Sequence, residues 1–237
     1  MRLIGHEFKY CQKFYEIHET VHSVYLVIEH FSGGELLEKI SLTQRIKQKH
    51  VKSIMRNLML GLAYIHSLGV MHRDLKPENL MIKGKKISEV RIIDFGLATF
   101  VDEEEHLYKR CGTPGFVAPE IINHGQDKKY DEKCDIFSAG IIFHILLCGQ
   151  SPFHSSNYKK ILKLNKLCEI DFGVKGLNKR SSNCLELLKG MLAKDAKERM
   201  SAIDCLKHEY FSEVLETDGQ VQRMLLLYNQ KYGRTKP

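Results

Sequence analysis

No apolar run of membrane-spanning length occurs in this 237-residue chain. A transmembrane helix needs about 18 or more consecutive apolar residues, and no segment approaches that length. The first ten residues, MRLIGHEFKY, also lack the apolar core of a secretory signal peptide. We therefore expect a protein without a membrane span.

The seven cysteines form no C-x-x-C pair, and their number is odd. A disulfide framework or a zinc site normally shows paired cysteines at short, regular spacings. Scattered cysteines are typical of reduced thiols in a compartment that keeps them reduced. The chain is therefore expected to be intracellular, in the cytoplasm.

Long blocks of like charge are also missing, although the net charge is +7. Nucleic-acid-binding segments often concentrate about five or more basic residues, whereas the lysines here are spread over short groups. We expect no nucleic-acid partner, but a basic surface that attracts anionic ligands such as nucleotides. With 43% hydrophobic residues and no internal repeat, the chain can bury a core as one large domain or two lobes.

Hydrophobic periodicity predicts a mixture of strands and helices. The β-branched segment 24–30 is predicted to be a strand that forms a hairpin with 14–20. Segments 79–82 and 89–94 are predicted to be two short strands around the turn KGKK, and 97–119 is expected to be mostly irregular. The predicted helices are ELLEKI after the break SGG, 50–67 with one buried face ending near Gly69, the apolar segment 134–149, and the segments SSNCLELLKGML, SAIDCLKHEYF and QVQRMLLLYNQKY.

The segment VMHRDLKPENLMI, residues 70–82, places charged and amide side chains between two apolar pairs. Asp74 and Asn79 lie on this loop, and Asp94 follows the apolar run VRII. Oxygen ligands of this kind suit Mg²⁺, which completes its coordination with phosphate oxygens and water. Asp74 could accept a proton from a hydroxyl beside the metal, and Lys76 could neutralise a phosphoryl group. Each residue alone could equally be an ordinary turn former.

Three motifs occur together in a fixed order: HRDLKPEN at 72–79, DFG at 94–96 and APE at 118–120. This set resembles the signature of eukaryotic-type protein kinases, and the resemblance runs from about residue 4 to 211. It implies an α+β, protein kinase-like fold: a mainly α-helical C-lobe with a remnant of the antiparallel N-lobe sheet. The expected parts are a partial N-lobe with the hinge at 1–32, the kinase C-lobe at 33–211 and an appendage at 212–237.

The resemblance implies catalytic roles for the loop residues. Asp74 would be the base that orients the substrate hydroxyl, and Lys76 would contact the γ-phosphate of ATP. Asn79 and Asp94 would bind Mg²⁺. A lysine at position 76 resembles the serine/threonine-specific form of this loop.

The segment VIEHF resembles the hinge that binds adenine. Ile28 would be the gatekeeper, and the backbone of Glu29 and Phe31 would form hydrogen bonds with adenine. Met81 and Ile93 would line the adenine pocket. ATP and Mg²⁺ are therefore the expected cofactors.

The same resemblance implies residues that bind a protein substrate. Glu35 would contact the ribose and, with Glu78, a basic residue upstream of the phosphoacceptor. Carboxylates suit a substrate arginine, because they accept bidentate charge-assisted hydrogen bonds. Thr113, in GTPGFVAPE, would brace Asp74 and Lys76.

Four further matches imply structural roles. Glu120 and Arg199 would form a buried ion pair in the C-lobe, and Asp135 would support the catalytic loop from beneath. Arg73 could pair with the acidic run 102–105 in place of an activation-loop phosphate. The alternative is that this run is an exposed loop without a specific partner.

The segments EHFSGGELLEKI, CGTPGFVAPEII and GIIFHILLCGQSPF resemble the calcium/calmodulin-dependent and calcium-dependent protein kinase group. The chain contains no EF-hand loop. A calcium-sensing regulator would therefore be supplied elsewhere, by another segment or by a partner. The segment 220–232 could begin a regulatory helix or could be a simple packing helix.

The chain departs from the resemblance at its beginning, where the Gly-rich strand pair and the V-A-I-K lysine of a complete kinase are not found. Without these groups, the ATP phosphates would lose the strands that cover them and the lysine that positions them. Apolar surfaces of the hairpin would also be exposed. We expect an incomplete chain of an active kinase. The alternatives are a truncated gene model and a kinase-like protein that acts as a binding module. A small-molecule phosphotransferase is disfavoured by GTPGFVAPE, which resembles a peptide-binding segment.

Overall fold

The computed structural model of the protein describes residues 8–40, 46–103, 108–123 and 130–214. In these ranges, an antiparallel strand pair comes first along the chain. Two further short strand pairs and most of the helices follow. The expected α+β fold with a mainly helical C-lobe is thus confirmed. The division at residue 32 stays a prediction, and the appendage with its amphipathic helix lies almost wholly outside the described residues.

The first two strands, β1 (Phe14–Glu19) and β2 (Val24–Ile28), form the predicted antiparallel hairpin. The turn is closed by the Thr20 N–H and hydroxyl, which both donate to the Ser23 carbonyl. Side chains of successive strand residues point to opposite faces. All five residues of β2 are more than 40% exposed, so neither face of the hairpin is covered by the described part of the chain.

An uncovered two-stranded hairpin is marginally stable, and we expect its backbone amides to exchange fastest among the regular elements. In native-state hydrogen exchange, β2 amides should exchange on the order of 100-fold or more faster than those of the buried helix 133–148. The comparison is internal to one sample and therefore needs no second variant. Equal protection of the two segments would contradict this expectation.

Two further strand pairs position the loops of interest. Strand β3 (Val70–Met71) pairs with β6 (Thr99–Phe100), which lies in the segment expected to be irregular. Strands β4 (Leu80–Ile82) and β5 (Val90–Ile92) form the predicted antiparallel pair. The loop 72–79 therefore leaves one strand pair and enters the other, and its last residues form a 3₁₀ turn, Pro77–Asn79.

Two long helices form the centre of the core. Helix α2 (Gln48–Ser67) buries one face, as its periodicity predicts, and Gly69 beyond it adopts a positive φ of 75°. Helix α4 (Lys133–Cys148) is buried on nearly all sides and ends at Gly149, whose φ of 78° places it in the left-handed conformation of a helix C-cap. Gly140 of α4 packs so closely on Leu192 that a β-carbon would clash.

The remaining helices surround this pair. Helix α6 (Ser182–Met191) agrees with prediction, whereas α1 (Leu36–Lys39) is shorter than the predicted ELLEKI and α7 (Ala202–Lys207) is shorter than the predicted SAIDCLKHEYF. Helix α5 (Tyr158–Leu167) was not predicted, although Asn157 caps its N-terminus. The other elements are α3 (Pro119–Asn123) and a 3₁₀ helix, Glu209–Val214. Within the described ranges, none of the helices is long and apolar enough to cross a membrane.

Candidate active site

Asp135 of α4 lies directly beneath the loop that follows β3. Its carboxylate accepts hydrogen bonds of 2.8 Å from the backbone N–H groups of His72 and Arg73. A third contact, 3.0 Å long, joins it to Nε2 of His66 on α2. Because the Asp135 side chain is fully buried, this carboxylate fixes the loop to the core of the protein.

Burial alone would raise the pKa of the Asp135 carboxyl, but the hydrogen bond from His66 and the electrostatic attraction of His66 and His72 outweigh burial and lower this pKa below its ordinary value. A group with a lowered folded-state pKa stabilises the protein above its unfolded pKa of about 3.9. That stability is lost as the pH falls through the folded-state pKa.

We therefore expect the Asp135→Asn substitution to reduce the slope of the unfolding free energy against pH below about pH 4. Urea denaturation at several pH values measures this slope. Asp171→Asn, at an exposed position, is the matched control and should leave the slope close to that of the wild type. An unchanged slope for Asp135→Asn would contradict the contribution assigned to this carboxylate.

Arg73 adopts a positive φ of 69° and turns its guanidinium toward the segment after DFG. Its Nε donates to the Leu97 carbonyl at 2.7 Å, and its Nη1 donates to the Tyr108 carbonyl at 2.8 Å and to the Tyr130 hydroxyl at 3.1 Å. The Arg73 guanidinium is therefore bound by neutral oxygen acceptors and not by a carboxylate. Tyr130 was not identified from the sequence.

The acidic run 102–105 does not contact Arg73 through its described residues. Asp102 and Glu103 form no hydrogen bond or ion pair with the guanidinium, and the other two residues of the run lie outside the described ranges. The alternative of an exposed loop fits Asp102 and Glu103, both of which are exposed.

Three polar side chains meet around Asp74. Its two carboxylate oxygens accept hydrogen bonds from Lys76 Nζ at 2.8 Å and from Thr113 Oγ1 at 2.7 Å. Lys76 Nζ also donates to Thr113 Oγ1 at 3.1 Å, and Asn79 Nδ2 donates to the Asp74 carbonyl at 2.8 Å. The Asp74 side chain is about one-tenth exposed, so the carboxylate is oriented but still reachable.

Asn79 and Asp94 are brought together by the backbone. The Ile93 N–H donates to the Asn79 carbonyl at 3.0 Å, which places Asp94 next to the end of the loop. Asp94 is exposed and has a positive φ of 59°, and its Oδ1 accepts from the Gly96 N–H. Because the amide nitrogen of Asn79 is used by Asp74, its amide oxygen remains for a cation.

This donor set fits Mg²⁺, which takes few protein oxygens and keeps several waters. Among the described residues, no cluster of three or more His, Cys, Asp or Glu side chains suits a metal ion. A zinc centre closed by protein ligands alone is therefore not found in the described part. One carboxylate and one amide oxygen would leave most coordination positions of such an ion to phosphate oxygens and water.

The expected hinge connects β2 to α1. Ile28 is 41% exposed, whereas Glu29 and Phe31 are buried. The Glu29 N–H donates to the Lys13 carbonyl at 2.8 Å, and Lys83 Nζ lies 3.2 Å from the Glu29 carboxylate. Neither Lys13 nor Lys83 was identified from the sequence.

The other expected pocket residues are Glu35 at the start of α1, Met81 on β4 and Ile93 directly after β5. Glu35 forms an isolated antiparallel bridge with Met81 of β4, and Met81 and Ile93 are both half-buried. The segment is anchored there, because the Gly33 N–H donates to the Ile82 carbonyl at 3.0 Å. The structure thus joins the expected hinge segment to β4, which in turn pairs with β5.

Glu78 is exposed on the 3₁₀ turn of the loop, and Glu35 is half-buried at the start of α1. Neither carboxylate forms an ion pair with a described residue. Both carboxylates are therefore available to a basic ligand, as a site that binds a basic substrate residue requires.

Glu120 and Arg199 form a buried bidentate ion pair, with N–O distances of 2.6 and 2.8 Å. The guanidinium also donates to the carbonyls of Ala193 and Lys133 and stacks at 5.0 Å from the Phe137 ring. This pair joins α3, and with it the segment that carries Thr113, to the helical core.

Asn165 of α5 is a supporting residue that the sequence did not reveal. It is completely buried, its Oδ1 accepts from the Gly115 N–H at 2.7 Å, and its Nδ2 donates to the Val117 carbonyl at 3.0 Å. The only signal in the sequence is an amide within an apolar helical stripe, which by itself is ambiguous. Asn165 braces the GTPGF segment from behind.

The expected hinge segment joined to a helical part, with an oriented carboxylate, a lysine and oxygen donors suited to Mg²⁺ on the loops, is the arrangement of a phosphotransferase of the kinase class. The chain matches the family described as protein kinase domain over residues 3–211 and belongs to that family.

Several curated relatives are named as kinases. "Probable serine/threonine-protein kinase 2" of Plasmodium falciparum (isolate K1 / Thailand) is 39% identical over 204 residues, which are 86% of this chain and 39% of that protein. "Calcium-dependent protein kinase 4" of Plasmodium berghei (strain Anka) is 38% identical over 209 residues, 87% of this chain and 39% of that protein. A probable myosin light chain kinase of Dictyostelium discoideum is 32% identical over 232 residues, 93% of this chain and 74% of that protein. The chain spans about two fifths of the length of the first two relatives.

Proposed function

We propose that this chain transfers the γ-phosphoryl group of ATP to serine or threonine hydroxyls of protein substrates. The observation that carries the proposal is the hydrogen-bonded set of Asp74, Lys76, Thr113 and Asn79, with Asp94 beside it. Relatives named as serine/threonine kinases support the class of acceptor. Phosphoryl transfer depends mainly on positioning and charge stabilisation, and this set supplies both.

In this proposal, Asp74 accepts the proton of the substrate hydroxyl while Thr113 keeps its carboxylate oriented. The Lys76 ammonium, which pairs with Asp74 at 2.8 Å, also reaches the transferring phosphoryl group. Asn79 and Asp94 would hold Mg²⁺, which would neutralise charge on the phosphate oxygens.

The nucleotide is bound between the hinge and the strand ends. The backbone groups of Glu29 and Phe31 bind adenine beside the gatekeeper Ile28, and Met81 and Ile93 flank the ring. The pairing of β4 with β5 and the hydrogen bonds between the hinge segment and β4 support this arrangement.

A basic residue of the protein substrate pairs with the carboxylates of Glu78 and Glu35. The relatives named as calcium-dependent kinases support regulation by a calcium sensor that is supplied outside the described residues. The seven free thiols support an intracellular, cytoplasmic location, where thiols stay reduced.

The test compares the chain with its Asp94→Ala variant for binding of Mg²⁺-ATP and for peptide phosphorylation. Loss of the charged ligand should weaken binding on the order of 100-fold, since metal–phosphate interactions are worth several kcal/mol. Isothermal titration calorimetry measures the dissociation constant, and radiolabelled ATP measures transfer to a peptide with a basic residue upstream of serine.

Glu186→Ala is the matched control, because it removes one exposed carboxylate on α6, outside the segments 72–79 and 94–96. It should behave as the wild type does. If wild type and Asp94→Ala bind and phosphorylate equally, the catalytic proposal fails. That outcome would favour the alternative of a kinase-like binding module.

A further inference from the structure

The side chain of Gln12 reaches the expected hinge from a distant part of the sequence. Its Nε2 donates to the Glu29 carbonyl at 3.1 Å, across a separation of 17 residues. Gln12 is about nine-tenths buried. Since the partner is a carbonyl, the amide nitrogen rather than the amide oxygen of Gln12 must face it. This buried donor therefore contacts a backbone group that the proposed function assigns to adenine.

The backbone of Gln12 belongs to the strand system of the catalytic loops. Its N–H donates to the Ile92 carbonyl at 2.9 Å, and the Ile92 N–H donates to the Tyr10 carbonyl at 3.0 Å. Strand β5 runs directly on into Ile93 and Asp94. Gln12 is thus held by the strand that leads to the metal-type site, while its side chain holds the hinge.

The other polar groups of Glu29 are also occupied. Its N–H donates to the Lys13 carbonyl at 2.8 Å, and its carboxylate accepts from the Lys13 N–H at 3.4 Å and from Lys83 Nζ at 3.2 Å. Gln12 is the partner that fixes the carbonyl. A carbonyl oxygen has two lone pairs, so one acceptor site remains for a ligand.

We propose that Gln12 is a positioning residue for nucleotide recognition: it fixes the Glu29 carbonyl so that this oxygen accepts a hydrogen bond from the 6-amino group of adenine. This inference rests on the proposed function, in which the hinge binds ATP. A pre-oriented acceptor loses less freedom on binding than a mobile one, and a single neutral hydrogen bond changes affinity up to about tenfold.

The experiment compares ATP with purine riboside triphosphate, which carries hydrogen in place of the 6-amino group. Dissociation constants of both nucleotides are measured with Mg²⁺ by calorimetry on the wild-type chain and on Gln12→Leu and Gln12→Glu. Wild type should prefer ATP by about fivefold to tenfold. Both variants should reduce the preference to about twofold or less, because neither leucine nor an ionised glutamate can donate to the carbonyl.

Lys83→Met is the matched control. It removes the ion pair between Lys83 and the Glu29 carboxylate and leaves the hydrogen bond from Gln12 to the Glu29 carbonyl intact. The preference for ATP should therefore persist. Thermal melting shows whether each variant is folded. For each folded variant, the dissociation constant for purine riboside triphosphate is divided by that for ATP, so the ratio compares two nucleotides on the same protein.

The outcomes separate the two proposals. If wild type binds neither nucleotide, the proposed function fails and the inference falls with it. If wild type prefers ATP but Gln12→Leu keeps the same ratio, or weakens both nucleotides equally, Gln12 is only a packing residue and the inference alone is overturned.

Discussion

Replacement of Asp74 by asparagine is expected to lower kcat for peptide phosphorylation on the order of 100- to 10,000-fold, the range of a general base. Asparagine keeps the size of the side chain but cannot accept the hydroxyl proton. Thr113 and Lys76 donate to the Asp74 carboxylate at 2.7 and 2.8 Å, so the wild-type group is already oriented for this role. Steady-state kinetics with a serine peptide measure the effect.

The KM for ATP should change little in this variant, because Asp74 acts on the acceptor hydroxyl and not on the nucleotide. Asp171→Asn makes the same chemical change at an exposed position outside the segments 72–79 and 94–96 and should keep wild-type kcat. Thr113→Val removes only the orienting hydroxyl and should give a smaller loss. A kcat for Asp74→Asn within about twofold of the wild type would rule out the assigned base.

The second large effect is expected on stability, at the buried pair of Arg199 and Glu120. Replacement of Arg199 by methionine should lower the free energy of unfolding by about 3–5 kcal/mol, because the Glu120 carboxylate is left buried without its partner. In a chain of this size, each kcal/mol lowers Tm by about 2–4 °C. Urea denaturation and thermal melting measure the two quantities.

Lys160→Met is the control, since it removes an exposed cation on α5 and should change the unfolding free energy by less than about 0.5 kcal/mol. The double variant Arg199→Met with Glu120→Leu should be more stable than Arg199→Met alone. Replacing both charges by apolar groups removes the unpaired carboxylate. If Arg199→Met matches the control, the pair has no such structural role.

Local patterns predicted the elements that depend on neighbouring residues. The hairpin, α2, α4 and the strands around KGKK follow from alternation and helical periodicity, which are short-range properties of the chain. Helix α5 was missed because its exposed lysines obscure a narrow apolar stripe, although Asn157 before it is an ordinary N-cap. Strand β6 was missed because two residues are too few to show a period.

Contacts between distant residues were beyond such reasoning unless a motif carried them. The motifs implied Asp135 beneath the loop and Arg199 beside Glu120, both of which the structure brings together. No motif marks Gln12, Tyr130 or Asn165. Their hydrogen bonds span 17, 57 and up to 50 residues, and a single glutamine, tyrosine or asparagine has no pattern that predicts such a partner.

The sequence by itself determined the fold class, the family resemblance and the types of group on the catalytic loops. Periodicity and motif order are properties of the linear sequence and need no knowledge of tertiary contacts. Only the tertiary structure determined which hydrogen-bond donor pairs with each acceptor. Arg73 contacts neutral acceptors and Asp74 sits between Lys76 and Thr113, while the Glu29 carbonyl is held by Gln12. The physical reason is that buried polar groups must find partners, and packing sets which of them come within reach.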